Sequence, residues 1–199
     1  DVFIPAGTPF APTISSSTDA SCRDLTIYSG ATLTVSIGAL GSFSIYGNVV
    51  NNGTINHTSR TSISTLDNSY WIWLRGSGKT VGGTGSFDNS ALCVYAGGDY
   101  TLSSSFTVYG LRTDDSPYGT LRFSSYTLTA TDENHQYGNY YLNTGTFWDK
   151  MFSQTFTPSR FYNETGTWVW DISGKASNGS FNIVDNDWNN VRVICDPGY

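Results

Sequence analysis

The chain has 199 residues, of which 38% are hydrophobic and only 13% charged, with 21 glycines, 13 tyrosines and 11 phenylalanines. That balance is poor in helix formers and suits strands joined by many turns. The net charge of −6 offers no cationic field to a phosphate backbone, which excludes nucleic acid as a partner, and no apolar run is long enough to insert into a bilayer as a helix.

In chain order, the sequence starts at Asp1 with neither a methionine nor a leader peptide, from which a mature secreted protein or an excised fragment is expected. A short unit of glycine, Ser or Thr, and a large apolar residue then recurs. It stands at Gly41-Ser42-Phe43, Gly53-Thr54-Ile55, Gly85-Ser86-Phe87, Gly119-Thr120-Leu121, Gly145-Thr146-Phe147, Gly166-Thr167-Trp168 and Gly179-Ser180-Phe181. Several copies run on in strict alternation, as in GSFSIYG, GTLRF and GTWVWDI, the period of a half-buried strand. Each unit is therefore a turn feeding a strand, its glycine expected to supply a turn conformation and its third residue to begin the inward row. The inward rows predicted this way include Leu25, Ile27, Phe43, Ile45, Leu92, Val94, Phe106, Val108, Leu121 and Phe123.

A longer likeness relates DLTIYSG at Asp24 to Gly30, ALCVYAG at Ala91 to Gly97 and, more distantly, NNVRVICDPG near the C-terminus. Short strands, self-similarity and no helical segment predict one all-β domain over residues 1–199, a parallel β-helix or solenoid with irregular coils, about eight to ten at about twenty residues each. A β-sandwich is the alternative that alternation and turn spacing also permit. The third copy stops at Tyr199, so a segment or subunit of a larger assembly is expected, partnered by itself or by adjacent β-helical repeats.

The stretch YWIWLRGSGKT, Tyr70 to Thr80, supports three readings. A phosphate loop fails because its first glycine position is Trp73 and no helix-forming sequence follows Lys79 and Thr80; Gly76 to Thr80 is instead a turn between coils. As a strand, Tyr70, Ile72 and Leu74 point inward and Trp71 and Trp73 outward. Two indoles on one face then suit either stacking on a sugar or packing under a loop or neighbour. In GTWVWDI the same rule turns Trp168 and Trp170 into the core.

Cys22, Cys93 and Cys195 share no CxxC spacing, which argues against zinc; buried thiols, one long-range disulfide and intermolecular pairing all remain open. Asp185, Asp187 and Asn189 alternate in DNDWNN and could offer oxygens to Ca2+, but the glycine and distal glutamate of an EF-hand loop are absent, and no cofactor is called for otherwise. Asp114 with Asp115, and Asp132 with Glu133, are acidic turns. His57 and His135 are the two histidines, with no HExxH and no Gly-x-Ser-x-Gly, so the chain is not expected to be an enzyme.

The segment CRDLTIYSGATLTVSIGALGSFSIYGNVVNNGTINHT, Cys22 to Thr58, resembles the repeat regions of large secreted surface proteins of Bacteroidetes. DVFIPAGTPFAPTISS before it resembles the lead-in that often precedes such repeats, and SGKTVGGTGSF and SSSFTVYG after it resemble their later parts. The resemblance implies a parallel β-helix, an extracellular or cell-surface location, adhesive use and type IX secretion. Two departures are the high aromatic content and the lack of a recognisable C-terminal sorting domain. The expected function is a structural module of an adhesin or of a self-assembling surface fibre. The alternative is a β-helix that binds or cleaves carbohydrate, with surface glycans as its partners.

Overall fold

The computed structural model describes residues 1–16, 19–37, 42–58, 71–113, 117–136, 138–150, 160–162, 165–171 and 190–194. Among the described residues there are strands and no helix, and the strands pair in parallel from coil to coil. The fold is a parallel β-solenoid.

The first face is an eight-stranded sheet in the order β1 (Val2–Ile4), β4 (Leu25–Ile27), β7 (Val49–Asn51), β10 (Lys79–Gly82), β12 (Asp99–Leu102), β14 (Thr120–Arg122), β16 (Asn139–Tyr141) and β18 (Arg160–Tyr162). The second face begins with β2 (Thr13–Ser16), β5 (Thr32–Ile37) and β8 (Thr54–His57), and the third with β3 (Ala20–Cys22), β6 (Phe43–Ile45) and β9 (Trp71–Leu74). Above these, the long strands β11 (Phe87–Val94), β13 (Phe106–Thr113) and β15 (Thr127–Gln136) each serve two faces. Ala91 to Val94 of β11 lie beside Trp71 to Leu74 and continue the third face, while Ser86 bridges to Thr54 and continues the second. Register shifts between Phe87 and Ala91 and between Val108 and Gly110 mark the corner where these strands bend. The second face is then extended by β17 (Thr146–Asp149), which pairs with Thr127 to Ala130, and by β19 (Thr167–Asp171) and β20 (Val191–Ile194).

Coil length follows from the register of the first face. Val2 lies beside Leu25, and Leu25 beside Val49, steps of 23 and 24 residues; Val49 to Val81 takes 32, because residues 59–70 are inserted between β8 and β9. Later steps shorten, 21 residues from Asp99 to Thr120 and 19 from Thr120 to Asn139.

The ten inward positions predicted from alternation are all buried in one continuous core, as are Ile72, Leu74, Trp168 and Trp170. In the described glycine units the third residue is buried each time: Phe43, Ile55, Phe87, Leu121, Phe147 and Trp168. The glycines do a different job from the one expected. Gly53, Gly85, Gly119 and Gly145 do not adopt a left-handed conformation; a Cβ on Gly53 would overlap the carbonyl oxygen of Ala31, and one on Gly119 that of Val94. They are needed because one coil's backbone presses on the next.

The longer likeness also divides differently. Its copy at Asp24 to Gly30 supplies β4 on the first face, the copy at Ala91 to Gly97 supplies part of β11 on the third, and Val191 to Ile194 form β20 on the second. All faces are built from the same alternation ending in a turn, so similar strings do not occupy equivalent places.

Candidate functional site

Trp71 and Trp73 sit on the outer side of the third face, opposite the core-facing Ile72 and Leu74, as their register predicts. They are not an exposed platform, being only 4% and 3% accessible. Strand pairing sets Trp71 beside Ala91 and Trp73 beside Cys93, and these four pack as a second apolar cluster with Tyr95 against it. Tyr95 meets Trp73 edge-on, ring centroids 4.8 Å apart. The Arg75 guanidinium lies 3.8 Å over the Tyr95 ring and 5.5 Å from that of Trp73, with Arg112, two strands away on β13, 5.8 Å from Trp73. Arg75 Nε donates to Ser44 Oγ at 3.0 Å. Stacked cations and an edge-on ring occupy the indole surface that a sugar would need. The indole N–H of Trp73 has no hydrogen-bond partner among the described residues. Alternation finds these outward tryptophans, but Arg75, Tyr95 and Arg112 come from three coils and carry no joint signal in the sequence.

A second ladder runs up the outside of the first face. Asp99 and Arg122 form a two-pronged ion pair with N–O distances of 3.0 and 3.1 Å. The guanidinium lies 4.6 Å over Tyr141, which stacks on Tyr162 at 4.9 Å. These groups satisfy one another and bind coil to coil.

At the N-terminal end the solenoid is open. A cavity of about 480 Å³ is lined by Val2, Phe3, Phe10 and Ile14, with Leu33 and Phe43 among the residues beneath. Val2, Phe3 and Phe10 are exposed, Phe10 at 84%. The strands around this mouth, β1, β2 and β3, are each the last of their sheet, so one side of each backbone is unpaired.

Cys22 lines the same cavity as a free thiol, so it is not joined to Cys93. Burial pushes its pKa up to about 11, outweighing the opposing pull of the N-terminal ammonium; the thiol stays protonated at neutral pH and is a poor nucleophile. Cys93 is buried in the outer cluster, beside Trp73 on the neighbouring strand. Cys195, and the proposed Ca2+ ligands Asp185, Asp187 and Asn189, lie outside the described residues, as do Tyr70, Asp114 and Asp115. Among the described residues there is no group of three or more acidic, His or Cys side chains that could hold a metal. Gly76 to Gly78 connect β9 to β10, with Gly78 at φ +64°, and Lys79 and Thr80 already belong to the strand.

Comparison of the chain with protein-family models, with curated proteins and with solved structures gives no match.

Proposed function

We propose that this chain is a structural module of an extracellular adhesin or of a self-assembling surface fibre, in which β-coils stack end to end. The observation that supports this most is the N-terminal mouth, where three parallel strand edges surround an apolar cavity flanked by exposed Val2, Phe3 and Phe10. Solenoids need covered ends, because a bare coil exposes both its core and a row of unpaired backbone groups. A further coil of the same kind fits both needs: its strands extend the three sheets and its inward row fills the cavity. The extracellular setting rests on the resemblance of Cys22 to Thr58 to secreted surface repeats. Carbohydrate binding, the other reading, has less support once Trp71 and Trp73 are packed under arginines and Tyr95.

The test is negative-stain electron microscopy of the purified chain beside its Phe3→Lys/Phe10→Lys variant. Regular fibres from the parent, and dispersed particles from a variant whose circular dichroism is unchanged, are the expected result. Dispersed parent particles at every concentration, together with saturable binding on a glycan array, would sink the proposal.

A further inference from the structure

The outer side of the second face differs from the other two. Thr32 lies beside Thr54, Thr54 beside Ser86, Ser86 and Thr107 directly precede the paired Phe87 and Val108, and Thr107 lies beside Thr129. One row of hydroxyl residues thus crosses five successive strands, each followed along its strand by a residue buried in the core: Leu33, Ile55, Phe87, Val108 and Ala130. A parallel row starts two residues earlier on the later strands, with Thr127 beside Thr146 and Thr146 beside Thr167. Another lies two residues later on the early strands, with Thr13 beside Thr34 and Thr34 beside Asn56. The result is a two-dimensional net of hydroxyls, all at least partly exposed.

Several other threonines, and Thr13 within the net, bond protein groups instead, Thr13 reaching the Ala11 carbonyl at 3.4 Å. The hydroxyls of Thr80 and Thr84 bond Asn48 and Asn52 at 3.2 Å, those of Thr144 and Thr165 bond the carbonyls of Ser124 and Asn143 at 3.1 and 3.2 Å, and that of Thr113 bonds Tyr140 at 2.7 Å. The hydroxyls of Thr32, Thr34, Thr54, Thr107, Thr127, Thr129, Thr146 and Thr167 take no protein partner among the described residues. They are offered outward. Lys150, Asp171 and Arg192 stand at the far end of this face, the first two beside Trp148.

We propose that this hydroxyl net binds the surface of ice. Rows repeat at the strand spacing of about 4.8 Å along the solenoid and at about 6.7 Å between alternate residues of a strand. Both repeats are close to the oxygen spacings on the prism faces of hexagonal ice. Threonine suits the task because its β-branched side chain is stiff at χ1, so hydroxyl and methyl are held in register before any ligand arrives. A sugar polymer calls instead for aromatic platforms and fixed amides or carboxylates, whereas Tyr109 on β13 and Trp148 on β17 stand apart on this face. Charged groups hold hydration shells that do not match a crystal, and Lys150, Asp171 and Arg192 stand at the far end, past most of the hydroxyl rows.

The experiment grows a single ice crystal in a solution of the fluorescently labelled chain and measures thermal hysteresis on the unlabelled chain. The parent and the first-face control Thr26→Tyr should enter the ice and shape crystals, and Thr54→Tyr/Thr107→Tyr should do neither while keeping its circular dichroism. If the tyrosines disturb folding, Thr54→Val/Thr107→Val removes the hydroxyls at constant shape and should lose the same activity. A folded parent that neither enters ice nor shows hysteresis overturns the proposal. So does equal loss in Thr26→Tyr, or adsorption to insoluble chitin or cellulose without adsorption to ice.

Discussion

The lower and upper coils are wound on one plan but filled differently. From Ile4 to Ile55 the core is almost wholly aliphatic, with Leu25, Ile27, Leu33, Val35, Ile37, Ile45 and Val49 around a single ring, Phe43. From Phe87 upward many rings join the aliphatics: Phe87 meets Phe106 at 4.8 Å, Phe123 meets Phe147 at 5.7 Å, and Tyr140 stacks on Phe147 at 6.1 Å. The lower coils close with three separate strands, whereas the upper ones bend a long strand round one corner. Fewer residues per coil then enclose the interior, and larger side chains fill it. Buried tyrosines come with this solution and need polar partners. The Tyr100 hydroxyl lies 3.0 and 2.9 Å from the carbonyl oxygens of Ile45 and Gly47, donating to one of them, and accepts the Gly76 N–H at 3.1 Å. It thereby ties an upper coil to two lower ones.

The comparison is broken most severely by removing a ring from the upper stack. Phe123→Ala leaves a cavity against Phe147 and should cost about 3–5 kcal/mol, read as a fall in the urea midpoint with the slope unchanged. Tyr100→Phe keeps the shape but takes a partner from the Gly76 N–H and the Gly47 carbonyl at a cost of about 1–3 kcal/mol, while Ile45 still accepts the Arg75 N–H. It also has a pH signature. Burial raises the Tyr100 pKa from 10 to about 12, so its contribution is fully present below pH 10 and is lost as pH climbs to about 12, the unfolded chain ionising first. The parent should lose stability across that window and Tyr100→Phe should lose less, as followed by urea melts at stepped pH. Ile45→Val in the lower coils should cost only about 0.5–1.5 kcal/mol; a loss equal to that of Phe123→Ala would mean that the two halves do not differ. Arg122→Gln breaks a partly exposed ion pair on the outer ladder and should change the melt by less than about 1 kcal/mol.

Much of this architecture is legible in the chain. A glycine unit followed by alternation identifies the inward residue because a strand has only two sides, and one side must be apolar. The same rule separates Trp168, which faces the core, from Trp71 and Trp73, which face away from it. Whether an outward side chain is exposed is another matter. Trp73 is covered by Arg75, Tyr95 and Arg112, which its own strand does not predict. The TLT, FTV and GTF strings were visible too, but nothing in them says that they share a face.

Local physics, then, determined the strands and the inward rows, since period-two alternation and turn chemistry act over a few residues, while the repetition of these units along the chain pointed to a solenoid. Only the stacking of coils decided which strands became neighbours. That decision rests on register and on the close passage of backbones at Gly53 and Gly119, and it assembled the arginine–aromatic cluster, the open N-terminal mouth and the hydroxyl net from residues about twenty positions apart or more.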